Sequence, residues 1–468
     1  LGYGDVHALN PERGKIPTPN MDRLAREGMA FTDAHSGSSV CTPTRYGILT
    51  GRYCWRTRLQ ASVLGGMSPS LIARDRLTVP TLLKRYGYET AALGKWHLGL
   101  EFGANKWTDP IKDGPLQHGF DSYFGISASL DMPPFAYIEN DHFTQPPTET
   151  KTWMRTGPAA KDFEAVNVVP DLVDRAQQYI DSHASTARSG KPFFLYLALT
   201  SPHTPLVPTI RWLGKSPVGT YGDFVQETDW ATGQVIDAID KAGIAGNTLV
   251  IFASDNGFSP AVGPQPLEAM GHFPSAQFRG YKSEIWDGGH RIPFIVRWPG
   301  KVKPGSTSDQ LICLTDLMAT CAQMLDYKLP DTAGEDSVSI LPALLGQDKA
   351  PLREAVVHHS AQGMFAIRQA NWKLELCGGS GGWNVPVESE TLKLGVPPIQ
   401  LYDMAGDVGE KQNVHSANPM IVARLTKLLE KYVADGRSTP GAVQHNDVKV
   451  EIFKSPQARA AVNTAIGD

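Results

Sequence analysis

The chain of 468 residues carries a formal net charge of −4 and is 41% hydrophobic. That length has room for one large domain and a smaller one, in a composition ordinary for a globular protein. The nearly balanced charge excludes the broad basic footprint of a nucleic-acid binder, and no apolar run is long enough to span a bilayer. Five cysteines, Cys41, Cys54, Cys313, Cys321 and Cys377, are scattered without metal-ligand pairing. Apart from Cys41 they read as free and buried, not as a disulfide framework. No signal peptide is visible; Leu1-Gly2-Tyr3-Gly4-Asp5 reads as the middle of a domain, a start compatible with a removed export segment.

Apolar β-forming runs alternate with helical patterns, which predicts an α/β fold with a largely parallel sheet. Asn20 to Gly28 is a short helix, with Asn20 as cap and Gly28 past its end. Cys41-Thr42-Pro43-Thr44-Arg45 and the following Tyr46 to Gly51 suit another, capped by Thr42, with Pro43 at the first helical position and Gly51 closing it. Cys41 then sits at a helix N-terminus, where the backbone favours an anion, and Arg45 faces the same way one turn later. Thr78 to Gly87 is a helix, Glu89 to Leu93 a strand, Asp171 to Ser182 an amphipathic helix and Phe193 to Leu199 a buried strand. Phe224 to Ala242 is helical, Thr248 to Ala253 a second buried strand, Pro293 to Trp298 a strand and Thr315 to Leu325 a helix.

After about residue 355 the pattern changes. Met364 to Arg368, Trp372 to Leu376 and Gln400 to Met404 are short strands, Cys377 to Pro398 an irregular Gly- and Pro-rich loop, and Asn418 to Ala434 a helix closed by Gly436. The expected organisation is a catalytic domain over 1–355, a small α+β domain over 356–441 and a tail over 442–468.

Three polar clusters follow predicted strands: Gly94-Lys95-Trp96-His97-Leu98-Gly99, Ser201-Pro202-His203-Thr204-Pro205 and Ser254-Asp255-Asn256-Gly257. Ligands of open α/β sheets bind beyond the carboxyl ends of strands, so the three loops are expected to converge on one site. Each cluster alone has a plainer reading. Asp255-Asn256-Gly257 suits a turn, Lys95 and His97 suit a surface, His203 a loop between prolines, and Lys282 a solvated charge. A lone cysteine is usually a small buried hydrophobe.

Taken together these residues resemble one family. Cys41, Pro43, Arg45 and Leu49-Thr50-Gly51 match the C-x-P-x-R-x-x-x-L-T-G signature of type I sulfatases, and Gly94 to Gly99 matches that family's G-K-W-H-L-G segment. Gly288-Gly289-His290-Arg291-Ile292-Pro293 matches its G-G-x-R-x-P segment, with Lys282 in the position of the preceding lysine. The likeness runs from Leu1 to about Gly441 and is closest to bacterial arylsulfatase and N-acetylgalactosamine-6-sulfatase-like enzymes. It implies an alkaline-phosphatase-like α/β fold with a mostly parallel sheet flanked by helices and a smaller C-terminal α+β domain.

The resemblance also implies roles. Cys41 is the precursor of formylglycine, whose hydrate is the nucleophile, and Arg45 holds that hydrate. Asp255 and Asn256 are calcium ligands. Lys95 and Lys282 stabilise charge on the sulfate, a term that usually dominates such catalysis. His203 is the acid for the leaving oxygen and His97 the base that restores the aldehyde. Ser129 aligns with a sulfate-contacting polar residue, and loops around Asp131, Asp287 and His290 are expected to contact sugar hydroxyls. In the family an Asp-Asp pair at the end of an inner first strand directly precedes Leu-Gly-Tyr-Gly-Asp. That pair supplies further calcium ligands, so a trimmed chain is expected; Asp5 is expected to be structural. Calcium takes about six to eight oxygens, more than Asp255 and Asn256 provide.

The expected substrate is a sulfated carbohydrate or an aryl sulfate, the expected partner a formylglycine-generating or sulfatase-maturating enzyme, and the expected location periplasmic or secreted. Two other readings stand beside it: a phosphonate monoester or phosphoester hydrolase of the same superfamily, and a non-catalytic glycan-binding homologue.

Overall fold

The computed structural model describes residues 1–466. Its central strand, Glu89–Lys95, lies between two parallel neighbours, Ser122–Ile126 and Phe193–Ala198. Two short antiparallel strands, Ile138–Glu139 and His142–Phe143, extend this sheet to five. Small residues let these strands approach. Gly94 has φ +103°, and a Cβ there would lie 2.1 Å from the Ala198 carbonyl oxygen, so only glycine fits. The helix Val168–Arg188 covers one face, with Val168, Leu172 and Ala176 packed against Leu93, Phe124 and Ile126.

A second sheet runs in the order Val250–Ala253, Phe294–Arg297, Met29–Phe31, Ser306–Ser308. Phe294–Arg297 is antiparallel to both its neighbours. Two of the three polar clusters thus follow the parallel strands Glu89–Lys95 and Phe193–Ala198, whereas the third follows Val250–Ala253, which pairs antiparallel in this second sheet. Phe193–Ala198 and Val250–Ala253 are each an edge strand, and a cleft of about 410 Å³ is lined by both together with Val235, Ile236 and Ile239. This accounts for a departure from expectation. Both strands read as buried in sequence, yet their side chains are mostly half-buried, because each borders the cleft.

The C-terminal unit is a four-stranded antiparallel meander, Val356–His359, Phe365–Gln369, Trp372–Glu375 and Gln400–Asp403. The helix Pro419–Ala434 closes it with Val422, Leu425 and Leu429. Residues after Gly441, expected as a tail, pack in part on this unit. A helix over Pro456–Ile466 adds Ala458 and Val462 to the same core, and Ser455 Oγ accepts from the Ala458 N–H at 3.1 Å. Buried polar contacts tie this unit to the rest, among them the ion pair of Lys373 Nζ with Asp287 Oδ1 at 2.9 Å. Arg56 Nη2 lies 2.8 Å from Asp336 Oδ1, both fully buried, while Arg56 Nη1 donates to the Tyr432 carbonyl at 3.0 Å.

Helix starts differ from the sequence reading by a residue or two. The first helix is Pro19–Glu27 with Thr18 at the cap position; Asn20 instead donates its side-chain amide to Asp229 Oδ2 at 2.7 Å. The Cys41 helix is Cys41–Thr50, capped by the extended backbone of Val40. Thr42 lies inside it, and its Oγ1 accepts from the Leu64 N–H at 3.2 Å. Gly51 ends the helix as expected, left-handed at φ +65°. All five cysteines are free and buried.

Candidate active site

Four strand ends and one helix start supply the site. Cys41, the first residue of its helix, is 3% exposed, and its Sγ lies 3.4 Å from Asn256 Oδ1. Asn256 is fixed by its own amide, which donates to the Gly257 carbonyl at 2.9 Å and so turns Oδ1 toward the cysteine. One helical turn on, Arg45 donates from Nε and Nη2 to Asp255 Oδ2 at 3.0 and 2.7 Å, and from Nη1 to the Lys95 carbonyl at 3.0 Å. Burial alone would push the Asp255 carboxyl up, but Arg45, Lys95 and Lys282 hold it well below the usual carboxylate range. These three cations thus favour Asp255 as an anion.

Lys95 ends the central strand and is almost fully buried, with Nζ donating to Ser129 Oγ at 3.1 Å. Burial lowers its pKa. Ser129, beyond the Ser122–Ile126 strand, also meets His203 Nδ1 at 3.3 Å, and so bridges a lysine and a histidine. His203 follows the Phe193–Ala198 strand; its Nδ1 donates to the Thr204 carbonyl at 2.6 Å, which leaves Nε2 as the free nitrogen. Burial, Lys282 and Lys95 lower its pKa well below the ordinary value. Asp131 Oδ1 stands 3.9 Å from His203 Nδ1. Lys282 is buried, lines the same cleft, and is held by its N–H donating to the Phe258 carbonyl at 2.8 Å.

His97 sits in the left-handed region at φ +59°, rare for a residue with a side chain and a mark of functional sites. Its Nε2 donates to the Leu64 carbonyl at 2.8 Å, while Nδ1 is buried and has no partner. Burial, then Lys95 and Arg45, lower its pKa well below the ordinary value. The ring is therefore neutral, with a lone pair on Nδ1 available to accept a proton. Leu64 joins both parts of the arrangement, since its N–H meets Thr42 and its carbonyl meets His97. Sequence could not flag it, because a backbone group carries no residue-type signal.

His290 is not brought to this site. It is fully buried against His35 and His358, with Nε2 donating to the Ile285 carbonyl at 3.0 Å, and it has no route to a sugar hydroxyl. Asp287 is likewise consumed, by Arg291 at 3.0 Å and Lys373 at 2.9 Å. Asp5 is structural as expected: it accepts from the Gly2 N–H, the Tyr221 hydroxyl and His272 Nε2, at 2.6, 2.5 and 2.9 Å.

Asp255 and Asn256 present a carboxylate and an amide oxygen beside Cys41, the donor chemistry a hard divalent cation prefers. They fit such an ion but form only part of its shell. Every group described here suits an ester whose cleavage spreads negative charge over several oxygens: an anion-favouring helix start, an arginine, two lysines and two neutral histidines at strand ends. The class so defined is a hydrolase of anionic esters on an α/β fold.

The family model described as Sulfatase matches residues 1–327. The N-acetylgalactosamine-6-O-sulfatase of Bacteroides thetaiotaomicron is 33% identical, over 92% of this chain and 90% of that protein. Human arylsulfatase A is 31% identical, over 95% of this chain and 88% of that protein. A Bacteroides thetaiotaomicron structure titled for the metabolism of multiple glycosaminoglycans superposes with a TM-score of 0.80 at 30% identity, covering 92% of this chain and 96% of that one. The chain belongs to the sulfatase family, with its alkaline-phosphatase-like fold, and is a sulfuric ester hydrolase. Members of this family use a formylglycine and a divalent metal. Among the described residues no helix is long and apolar enough to cross a membrane.

Proposed function

We propose that this sulfatase acts on a sulfated carbohydrate, with Cys41 converted to formylglycine and with Asp255 and Asn256 as protein ligands of a calcium ion. The observation that carries this reading is the placement of Cys41 Sγ 3.4 Å from Asn256 Oδ1, next to the chain of contacts that joins Asp255, Arg45, Lys95 and Ser129. The sulfur marks where the oxygen of the converted residue would stand. When present, formylglycine supplies a hydrated aldehyde as oxygen nucleophile, and calcium supplies positive charge beside it.

The chain's own residues do the rest. Arg45 clamps Asp255 as an anion that can hold a metal and take a proton from the nucleophile. Lys95 and Lys282 set positive charge around the sulfate oxygens, and Ser129 fixes Lys95 relative to His203. His203 presents Nε2 to the leaving oxygen. Being neutral in the free protein, it acts as an acid only after taking up a proton, a step favoured by an anionic substrate, and Lys282 assists. His97, with Nδ1 unpartnered and neutral, accepts the proton whose removal restores the aldehyde.

The sugar preference is supported by the Bacteroides relative, whose name specifies N-acetylgalactosamine 6-O-sulfate hydrolysis. Conversion of Cys41 calls for a formylglycine-generating or sulfatase-maturating enzyme. A sulfated polysaccharide is met outside the cytoplasm, which supports a periplasmic or secreted protein. Rates on N-acetylgalactosamine 6-sulfate, an aryl sulfate and an aryl phosphonate monoester test the reading. The expected kcat/KM favours the sulfates by about a hundredfold or more, roughly 2.7 kcal/mol in transition-state binding. A preference for the phosphonate would overturn it, and no turnover of any of the three by the fully converted protein would favour a glycan-binding role.

A further inference from the structure

Three histidines from distant parts of the chain meet in the interior, and none lines the cleft that holds Arg45, Lys95, His203, Asp255 and Lys282. His35 comes from the short strand Ala34–His35, His290 from the turn before Arg291, and His358 from the first strand of the C-terminal meander. One nitrogen of each lies within 4.8 Å of the others, and all three side chains are buried.

Hydrogen-bond accounting fixes two of the tautomers. His35 Nε2 lies 2.8 Å from Asp33 Oδ1, and Arg368 grips both oxygens of that carboxylate at 2.7 and 2.8 Å. Facing an ionised acceptor, Nε2 of His35 carries the proton. His290 Nε2 lies 3.0 Å from the Ile285 carbonyl oxygen. Lys373 Nζ is 3.3 Å from that nitrogen, but its three protons go to closer oxygens, on Glu410 at 2.6 Å, Asp287 at 2.9 Å and Ile285 at 3.0 Å. Nε2 of His290 is therefore also a donor. Both Nδ1 atoms are left as lone-pair acceptors, and they face each other at 3.0 Å. Two bare lone pairs at that distance repel; something positive belongs between them.

A proton would satisfy that pair alone. It would leave His358, whose two ring nitrogens are buried without any partner, while its ring stacks on His290 at 3.7 Å. A metal ion satisfies all three rings together. Metal-bound histidines almost always donate their second N–H to a carboxylate or a backbone carbonyl, which is what His35 does to Asp33 and His290 to Ile285. The nearby cations are all paired: Arg368 with Asp33, Arg291 with Asp33 and Asp287, and Lys373 with Asp287, Glu375 and Glu410. None stands uncompensated against an added ion.

We propose that His35, His290 and His358 bind a divalent transition metal of the zinc class, as a structural pin between the catalytic domain and the C-terminal meander. Imidazole donors without carboxylates select zinc, cobalt, nickel or copper over calcium, so this site is chemically distinct from the Asp255–Asn256 pair. Zinc–nitrogen bonds of about 2.0–2.1 Å set tetrahedral ligand atoms roughly 3.3 Å apart. His35 and His290, at 3.0 Å, need only a small separation to reach that spacing, and His358 closes the remainder by turning out of its stack.

The test uses the full-length protein, stripped with a chelator, supplied with calcium and then with one equivalent of cobalt(II). The wild type and an Asp255→Asn variant should each retain about one cobalt per chain through gel filtration, with the visible ligand-field band of nitrogen-ligated cobalt. His358→Phe, which keeps a stacking ring, should bind at least about tenfold more weakly and lose the band. Failure of the wild type to retain cobalt, or equal retention by His358→Phe, would overturn the proposal. X-ray absorption on the zinc-loaded wild type gives the same decision without a variant: a shell with three nitrogens near 2.0–2.1 Å supports the site, and an all-oxygen shell rejects it.

Discussion

Cys41→Ala should lose sulfatase activity by a factor on the order of ten thousand to a million, the scale seen when a nucleophile is removed. The protein should still fold. Cys41 opens its helix, where alanine is well tolerated, and the substitution forfeits only the Sγ contact to Asn256 Oδ1 at 3.4 Å. The chain of contacts through Asp255, Arg45, Lys95 and Ser129 does not depend on the sulfur, because each member bonds to the next. Binding of the sulfate group should therefore outlast catalysis, with kcat falling far more than KM rises. Serine at this position returns an oxygen but not a second hydroxyl, so it should not restore multiple turnover. Aryl sulfate hydrolysis measured beside thermal unfolding checks both halves, and activity within tenfold of wild type would refute the assignment.

Lys95→Met should lower kcat by about a hundredfold to a thousandfold, the scale for one preorganised charge-stabilising donor. It should also move the pH profile, and the sign is fixed by the charges around it. Lys95 lies next after burial among the influences lowering the pKa of His97, and it also lowers that of His203. Removing its charge raises both. The base His97 must be neutral to act, and it acts after the ester is cleaved, so the acid limb of kcat should shift to higher pH in Lys95→Met. Folding should not suffer. Burial depresses the pKa of Lys95, so its charged form costs stability below that pKa, and a neutral side chain of similar length relieves the cost. A slower enzyme with an unmoved acid limb would mean that Lys95 acts only on the substrate and not through the histidines.

Much of this site was readable in sequence because its side chains follow strands. Lys95 and His97, His203, and Asp255 with Asn256 come directly after apolar runs, and the fold delivers strand ends to one place. The Cys41 helix was readable from Pro43 and Gly51, but its start was not. The cap is the backbone of Val40, while the better capping side chain, Thr42, serves Leu64. The Phe193–Ala198 and Val250–Ala253 strands read as buried, yet both line the cleft and are mostly half-buried. His290 misled because its neighbours in sequence belong to a motif, whereas its partners in space, His35 and His358, are remote from it and from each other in the chain. No spacing rule detects such a cluster. The Pro456–Ile466 helix was missed although Ser455-Pro456 is a start signal, because the Ala-rich stretch after it has little apolar contrast.

On this reading, activity resides in a converted Cys41. Mass spectrometry of the peptide containing Cys41, alongside specific activity in preparations with different degrees of conversion, tests it most directly. Conversion of the thiol to the aldehyde lowers the peptide mass by about 18 Da, a change set by composition. Turnover of a sulfate ester should rise in proportion to the lighter peptide and extrapolate to zero where only the thiol is present. Full activity in a preparation whose Cys41 peptide is entirely unconverted would contradict it.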